Sequence, residues 1–167
     1  MPADDLALLL IRTVLGVTMI AHGYNHWRGG GRIDGTAGWF AGLGLRRPRL
    51  QAWLSVATEI GAGALLIVGL FTPFACAAVV SVMLVAGLLA HRRNGFFVFR
   101  EGYEYVLVLA VVAVALALLG PGDVSVDAAA GVEVAGTAGG VVALGLGVGS
   151  AVGLLATSWQ RRPKVSV

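Results

Sequence analysis

The sequence predicts an all-α, polytopic membrane helical bundle: a four-helix core plus a fifth, C-terminal transmembrane helix. Three observations carry that prediction. Of the 167 residues, 57% are hydrophobic and only 13% charged, where a soluble domain carries about 25% charged residues. Five apolar runs are spaced along the chain. None of them alternates strictly, as a membrane barrel strand would.

The first run, residues 6–21, is broken only by Arg12 and two threonines, and the second, 54–71, contains one carboxylate, Glu59. The third (74–90) and fourth (105–119) carry no charge, and the last spans 138–156. A crossing needs roughly 17–25 residues, so the fourth has to recruit a flank, starting from Tyr103. "FTPF", residues 71–74, predicts a tight hairpin, with Pro73 at the start of the third helix, where its missing N–H costs nothing. The first connection is long. Within it "GTAGWFAGLGL", residues 35–45, is too short to cross, and with Trp39 and Phe40 it reads as an interfacial segment or an ordered loop touching headgroups. "GPGDVSVD", residues 120–127, predicts a sharp turn. Residues 1–127 are thus read as the four-helix core. Residues 128–167 are read as an outer loop, a glycine-rich fifth helix and a basic tail.

Charge sets the expected orientation. Arg28, Arg32, Arg46, Arg47 and Arg49 fall in the first connection, Arg92, Arg93 and Arg100 in the third, and Arg161, Arg162 and Lys164 in the tail. The opposite side holds Asp4, Asp5, Asp123, Asp127 and Glu133 and no basic residue. The positive-inside rule then predicts a plasma-membrane protein with its N-terminus outside and its C-terminus cytoplasmic. The basic balance reflects this topology and contact with anionic lipid, and nucleic acid is excluded as a partner. The acidic start, with no small-x-small site before the histidines, argues against a cleaved signal peptide. Cys76, the single cysteine, lies in the third run and reads as core packing; no C-x-x-C pair exists. "GGGRIDG" lacks the G-K-[ST] ending of a phosphate loop.

Polar groups in hydrocarbon are expensive, so those present form the functional shortlist. By helical rise, Arg12 falls just outside one midplane and Glu59 just inside the next, an axial offset on the order of 7 Å. A structural Arg12–Glu59 ion pair is one reading; a proton- or ligand-linked carboxylate at Glu59 is the other. His22 and His26 close the first helix, His91 closes the third, and Glu101 and Glu104 open the fourth. Antiparallel threading places these ends at one level, around an expected common inner-leaflet pocket. His22 and His26, four residues apart, share a helix face as paired metal ligands must. Metal or haem ligation, a quinone- or proton-handling site, and structural interface histidines all stay open on spacing alone. No H-E-x-x-H, C-x-x-C-H or cysteine ligand set occurs. In the fifth run Gly145, Gly149 and Gly153 recur at four-residue spacing, suited either to packing within the bundle or to docking a partner helix.

An arginine in the first span, "AHGYNHW" at its end and "GTAGWFAGLGL" after it resemble the DoxX family of small membrane proteins. "TEIGAGALLIVGLFTP" with Glu59, then "AHRRNGFF" and "GYEYVLVLAVVAVALALLGPGDVSVD", continue the pattern over residues 6–127. The fifth helix lies beyond it. The family includes the DoxD-type small subunit of thiosulfate:quinone oxidoreductase. The resemblance therefore implies a redox-linked membrane subunit with a quinone as electron acceptor. It puts Arg12, His22, Glu59, His91 and Glu104 at family-pattern positions and assigns no enzymatic activity. On this basis His22 or His91 would hydrogen-bond a quinone carbonyl while Glu59 or Glu104 relays a proton. The alternative is a non-catalytic anchor or assembly subunit for a partner oxidoreductase. A small-solute transporter is a weaker option, since no span shows an internal break or inverted repeat.

Overall fold

The computed structural model describes residues 1–160. Arg161, Arg162 and Lys164 of the basic tail lie outside the described residues. Among the described residues the chain is helical without named strands.

Helix α1 (Ala3–Arg28) starts with Asp4 and Asp5 in its first turn and ends with His26 and Arg28 in its last, the aspartates and Arg28 each opposing the local end of the helix dipole. It runs two turns past the apolar run because those residues still pack and cap. Gly31, at φ +78°, turns the chain into α2 (Arg32–Gly42). The segment carrying Trp39 and Phe40 is therefore a helix rather than a loop. It buries Ile33 and Ala37 against Ala52 and Val56. Helix α3 (Pro48–Val68) opens on proline, and α4 (Thr72–Ala86) follows the predicted tight hairpin with proline in its first turn. One π turn, Gly87–His91, and a short 3-10 turn, Arg92–Asn94, extend α4 to a 23-residue span. Helices α5 (Glu104–Leu119), α6 (Val126–Ala130) and α7 (Gly136–Ser158) complete the order.

Among the described residues, four helices are long and apolar enough to cross a bilayer: α1, α3, the extended α4, and α7. Helix α5 has 16 residues, roughly 24 Å of rise, short of a hydrocarbon core about 30 Å thick. Its N-cap is Tyr103, so the expected recruitment of that flank adds no helical turn. Val14, Val17, Val111, Leu119, Val141 and Val152 are each more than half exposed. An apolar surface on this scale is what lipid contact requires.

Helix α4 occupies the centre, packed by α3, α5 and α7. The inner cluster joins Leu15 and Met19 of α1, Leu66 of α3, Cys76, Val79 and Val80 of α4, Leu116 of α5 and Ala143 of α7. Cys76 is core packing, as the sequence predicts. Small residues set the close approaches. Gly147 of α7 lies so near α4 that a Cβ there would be 2.7 Å from Val80 Cγ1. At one end of the bundle, Arg46 N–H donates to Ser158 O (2.7 Å) and Gln160 N–H to Gly44 O (2.9 Å). Those bonds tie the α2–α3 connection to the end of α7, so the described arginines of the first and third connections share this end. At the other end Asp5 Oδ1 accepts from Asp123 N–H (2.8 Å).

Candidate functional site: a carboxylate in an inner cavity

The site is built on α3. Four residues make one helical turn plus a little, so Ser55 and Glu59 stack on the same face. Ser55 Oγ donates to Glu59 Oε1. From α1, His26 brings Nε2 to 3.6 Å from the same oxygen. Glu59 is 2% exposed, and its Oε2 has no hydrogen-bond partner. A buried carboxylate oxygen without a donor is costly, so this group marks the site.

The carboxylate lines a cavity of about 150 Å³. Trp39 and Phe40 of α2 close one side, and the His26 ring stacks on Trp39 with centroids 5.9 Å apart. Leu54 and Thr58 of α3 and Val82, Val85 and Leu89 of the α4 segment form the remaining walls, with Leu154 of α7. Thr58, Ser81 and Gln51 add hydroxyl and amide groups. An apolar chamber with a few convergent polar groups is the usual form of a small-molecule site. Part of its wall, Leu89 and Ala90, belongs to the π turn, a departure from regular helix often found at functional sites.

The expected Arg12–Glu59 ion pair does not form. Helices α1 and α3 cross with Gly16 against Gly63 and Gly23 against Glu59 and Ile60, which puts Arg12 level with Gly69. Glu59 is then about ten residues, roughly 15 Å, further along. The simple depth estimate fails because α1 overhangs the C-terminal end of α3, and the overhang is filled by residues 120–130. Arg12, fully buried, donates there to Val124 O and lies in the field of Asp127. Asp127 accepts from Phe71 N–H (2.8 Å), Thr72 N–H (2.9 Å) and Thr72 Oγ (2.8 Å). The cation therefore sits at the carbonyl end of α3 and the carboxylate at the amide end of α4, each matching the local dipole.

The basic-end groups are likewise distributed rather than pooled. His22 is exposed, its Nε2 3.5 Å from Tyr105 Oη. His91 Nδ1–H donates to Glu101 O (2.7 Å). Glu104 Oε2 accepts from Val98 N–H (2.9 Å), securing the α4–α5 connection. None of the three lines the cavity. His22 and His26 have separate surroundings, and among the described residues no three His, Cys, Asp or Glu side chains converge as a metal set would. On α7, a Cβ at Gly145, Gly149 or Gly153 would meet nothing within 4 Å, whereas Gly139, Gly140 and Gly147 make the close approaches to α4 and α5. Spacing left His26 open between metal ligation, quinone or proton handling and a structural role, and passed over Ser55, although the S-x-x-x-E spacing of Ser55 and Glu59 is visible in the sequence.

Comparison with curated proteins and with solved structures yields no match. The DoxX family model matches residues 7–92, just over half of the chain. That stretch runs from the second turn of α1 to just past the π turn and contains every cavity-lining residue except Leu154. The chain belongs to the DoxX family of membrane proteins.

Proposed function

We propose that this DoxX-family protein is a quinone-linked subunit of a membrane redox assembly, and that the cavity around Glu59 receives the quinone headgroup. The observation that carries the reading is the unpartnered, buried Glu59 Oε2 in a chamber otherwise walled by apolar side chains. A volume near 150 Å³ takes one six-membered ring. His26 and a protonated Glu59 would donate to carbonyl oxygens, and Leu54, Val85 and Leu89 suit an isoprenoid. The quinone supplies electron-accepting capacity; Glu59 holds the accompanying proton, oriented by Ser55. Cys76 is buried and lone, so the donor of electrons is assigned to a partner. The basic end, by its arginines, is assigned to the cytoplasm.

Trp39 lines the cavity and reports occupancy. Titration of the full-length protein with a short-chain quinone is expected to quench Trp39 fluorescence, with Trp39→Phe as the control. Glu59→Ala and His26→Ala are each expected to weaken binding about fivefold, the loss of one hydrogen bond to the quinone. Unchanged affinity in both variants would remove the reading.

An anchoring role is the second reading, supported by the open glycine face of α7. Gly149→Leu is expected to change stability by no more than about 0.5 kcal/mol yet release co-purifying membrane subunits. Retention of those subunits in Gly149→Leu would count against that face.

A further inference from the structure

A second concavity lies on the lipid-facing side of the bundle, independent of the Glu59 cavity. It is a groove of about 260 Å³ between α4 and α5. Met83, Leu84 and Leu88 form one wall and Val106, Leu107 and Ala110 the other. Gly87 forms its floor, and a Cβ there would already stand 3.4 Å from Val106 Cγ2. From Met83 to Arg92 the groove runs nine residues, roughly 14 Å of helix.

The groove lining is apolar throughout, and where it reaches the basic end of the bundle Arg92 and Tyr103 add the apolar parts of their side chains to it. Arg92, Arg93 and Arg100 are all exposed, and among the described residues no carboxylate pairs with them. Beside them Phe96, Phe97 and Phe99 are also exposed. Phe97 and Phe99 stack at 5.2 Å, and the Arg100 guanidinium lies 6.0 Å from the Phe99 ring. Tyr103 is of a residue type that concentrates at headgroup depth, which sets the neighbouring arginines level with lipid phosphates. An apolar trough bordered by exposed arginines without carboxylate partners among the described residues is complementary to a lipid whose chain is apolar and whose head is negative. A zwitterionic head would offset its own phosphate charge.

We propose that the α4–α5 groove is a binding site for one anionic phospholipid, its acyl chain along the groove and its phosphate on Arg92. The test is to titrate the detergent-solubilised full chain with phosphatidylglycerol and, separately, phosphatidylcholine, counting bound lipid by native mass spectrometry. One retained phosphatidylglycerol is expected, preferred about fivefold over phosphatidylcholine, the gain typical of one basic residue near an anionic head. Arg92→Gln is expected to abolish the preference and leave phosphatidylcholine binding unchanged. Gly87→Leu fills the floor and is expected to lower binding of both lipids. Leu107→Trp does the same from the exposed side, without touching the core. Equal retention of the two lipids by the wild type, or a preference that survives Arg92→Gln, overturns the proposal. So does glycerol phosphate competing as well as the intact lipid, which would leave no role for the groove.

Discussion

Asp127→Ala is expected to destabilise the bundle by about 3 kcal/mol or more, the cost of leaving buried donors without their acceptor and a buried cation without its nearby carboxylate. Asp127 is 2% exposed and Arg12 fully buried. The carboxylate satisfies the Phe71 and Thr72 amides and the Thr72 hydroxyl, so its loss strands three donors at the start of α4. It also leaves Arg12 with no counter-charge, when its Nε and Nη1 already lack partners. Phe71, at φ +50°, holds a left-handed conformation that a phenylalanine rarely adopts and that costs energy unless the surroundings enforce it. Asp127 supplies part of that enforcement. Thermal unfolding in detergent should show the loss directly. Asp127→Asn, which keeps an acceptor but not the charge, should fall between alanine and wild type. An alanine variant that melts with the wild type would show that the Asp127 cluster does not hold the hairpin.

The second large effect is expected where α1 crosses α3. A Cβ on Gly16 would stand 2.6 Å from Gly63 O, and one on Gly63 would stand 2.5 Å from Gly16 O. Both obstacles are backbone atoms, which cannot rotate away as a side chain can. Gly16→Ala and Gly63→Ala should each cost about 1–3 kcal/mol, as overpacking does, despite alanine's better helix propensity. The double variant should cost less than the sum, because one separation of the helices relieves both clashes. Gly145→Ala, with open space around it, should be neutral or slightly stabilising. Equal melting of the Gly16 and Gly145 variants would refute the close crossing. The same separation would draw His26 from Glu59, so quinone quenching of Trp39 should weaken in Gly16→Ala.

What was legible in the sequence, and what was not, follows from the range of the forces involved. Hydrophobic runs, the Pro-marked hairpin, the arginine asymmetry and the ordered family motifs are local properties. They were enough to predict a membrane helical bundle of the DoxX family, with Glu59 as a buried polar group and Cys76 as core. Partners across helices are another matter. The choice of Asp127 over Glu59 as the acid near Arg12 depends on a two-turn overhang of α1, set by where Gly16 and Gly63 allow the backbones to meet. That His26, of the three histidines, faces the carboxylate, while His22, His91 and Glu104 bond elsewhere, depends on the rotation of α1 and on the path of the α4–α5 connection. Which glycines of α7 pack and which face outward depends on the same kind of rotation. The sequence by itself determined which residues must lie in the membrane, because burial free energy is summed along each segment. Only the tertiary structure decided which of them meet, because a shift of one turn or a rotation of one helix changes every pairing while leaving the hydrophobic pattern untouched.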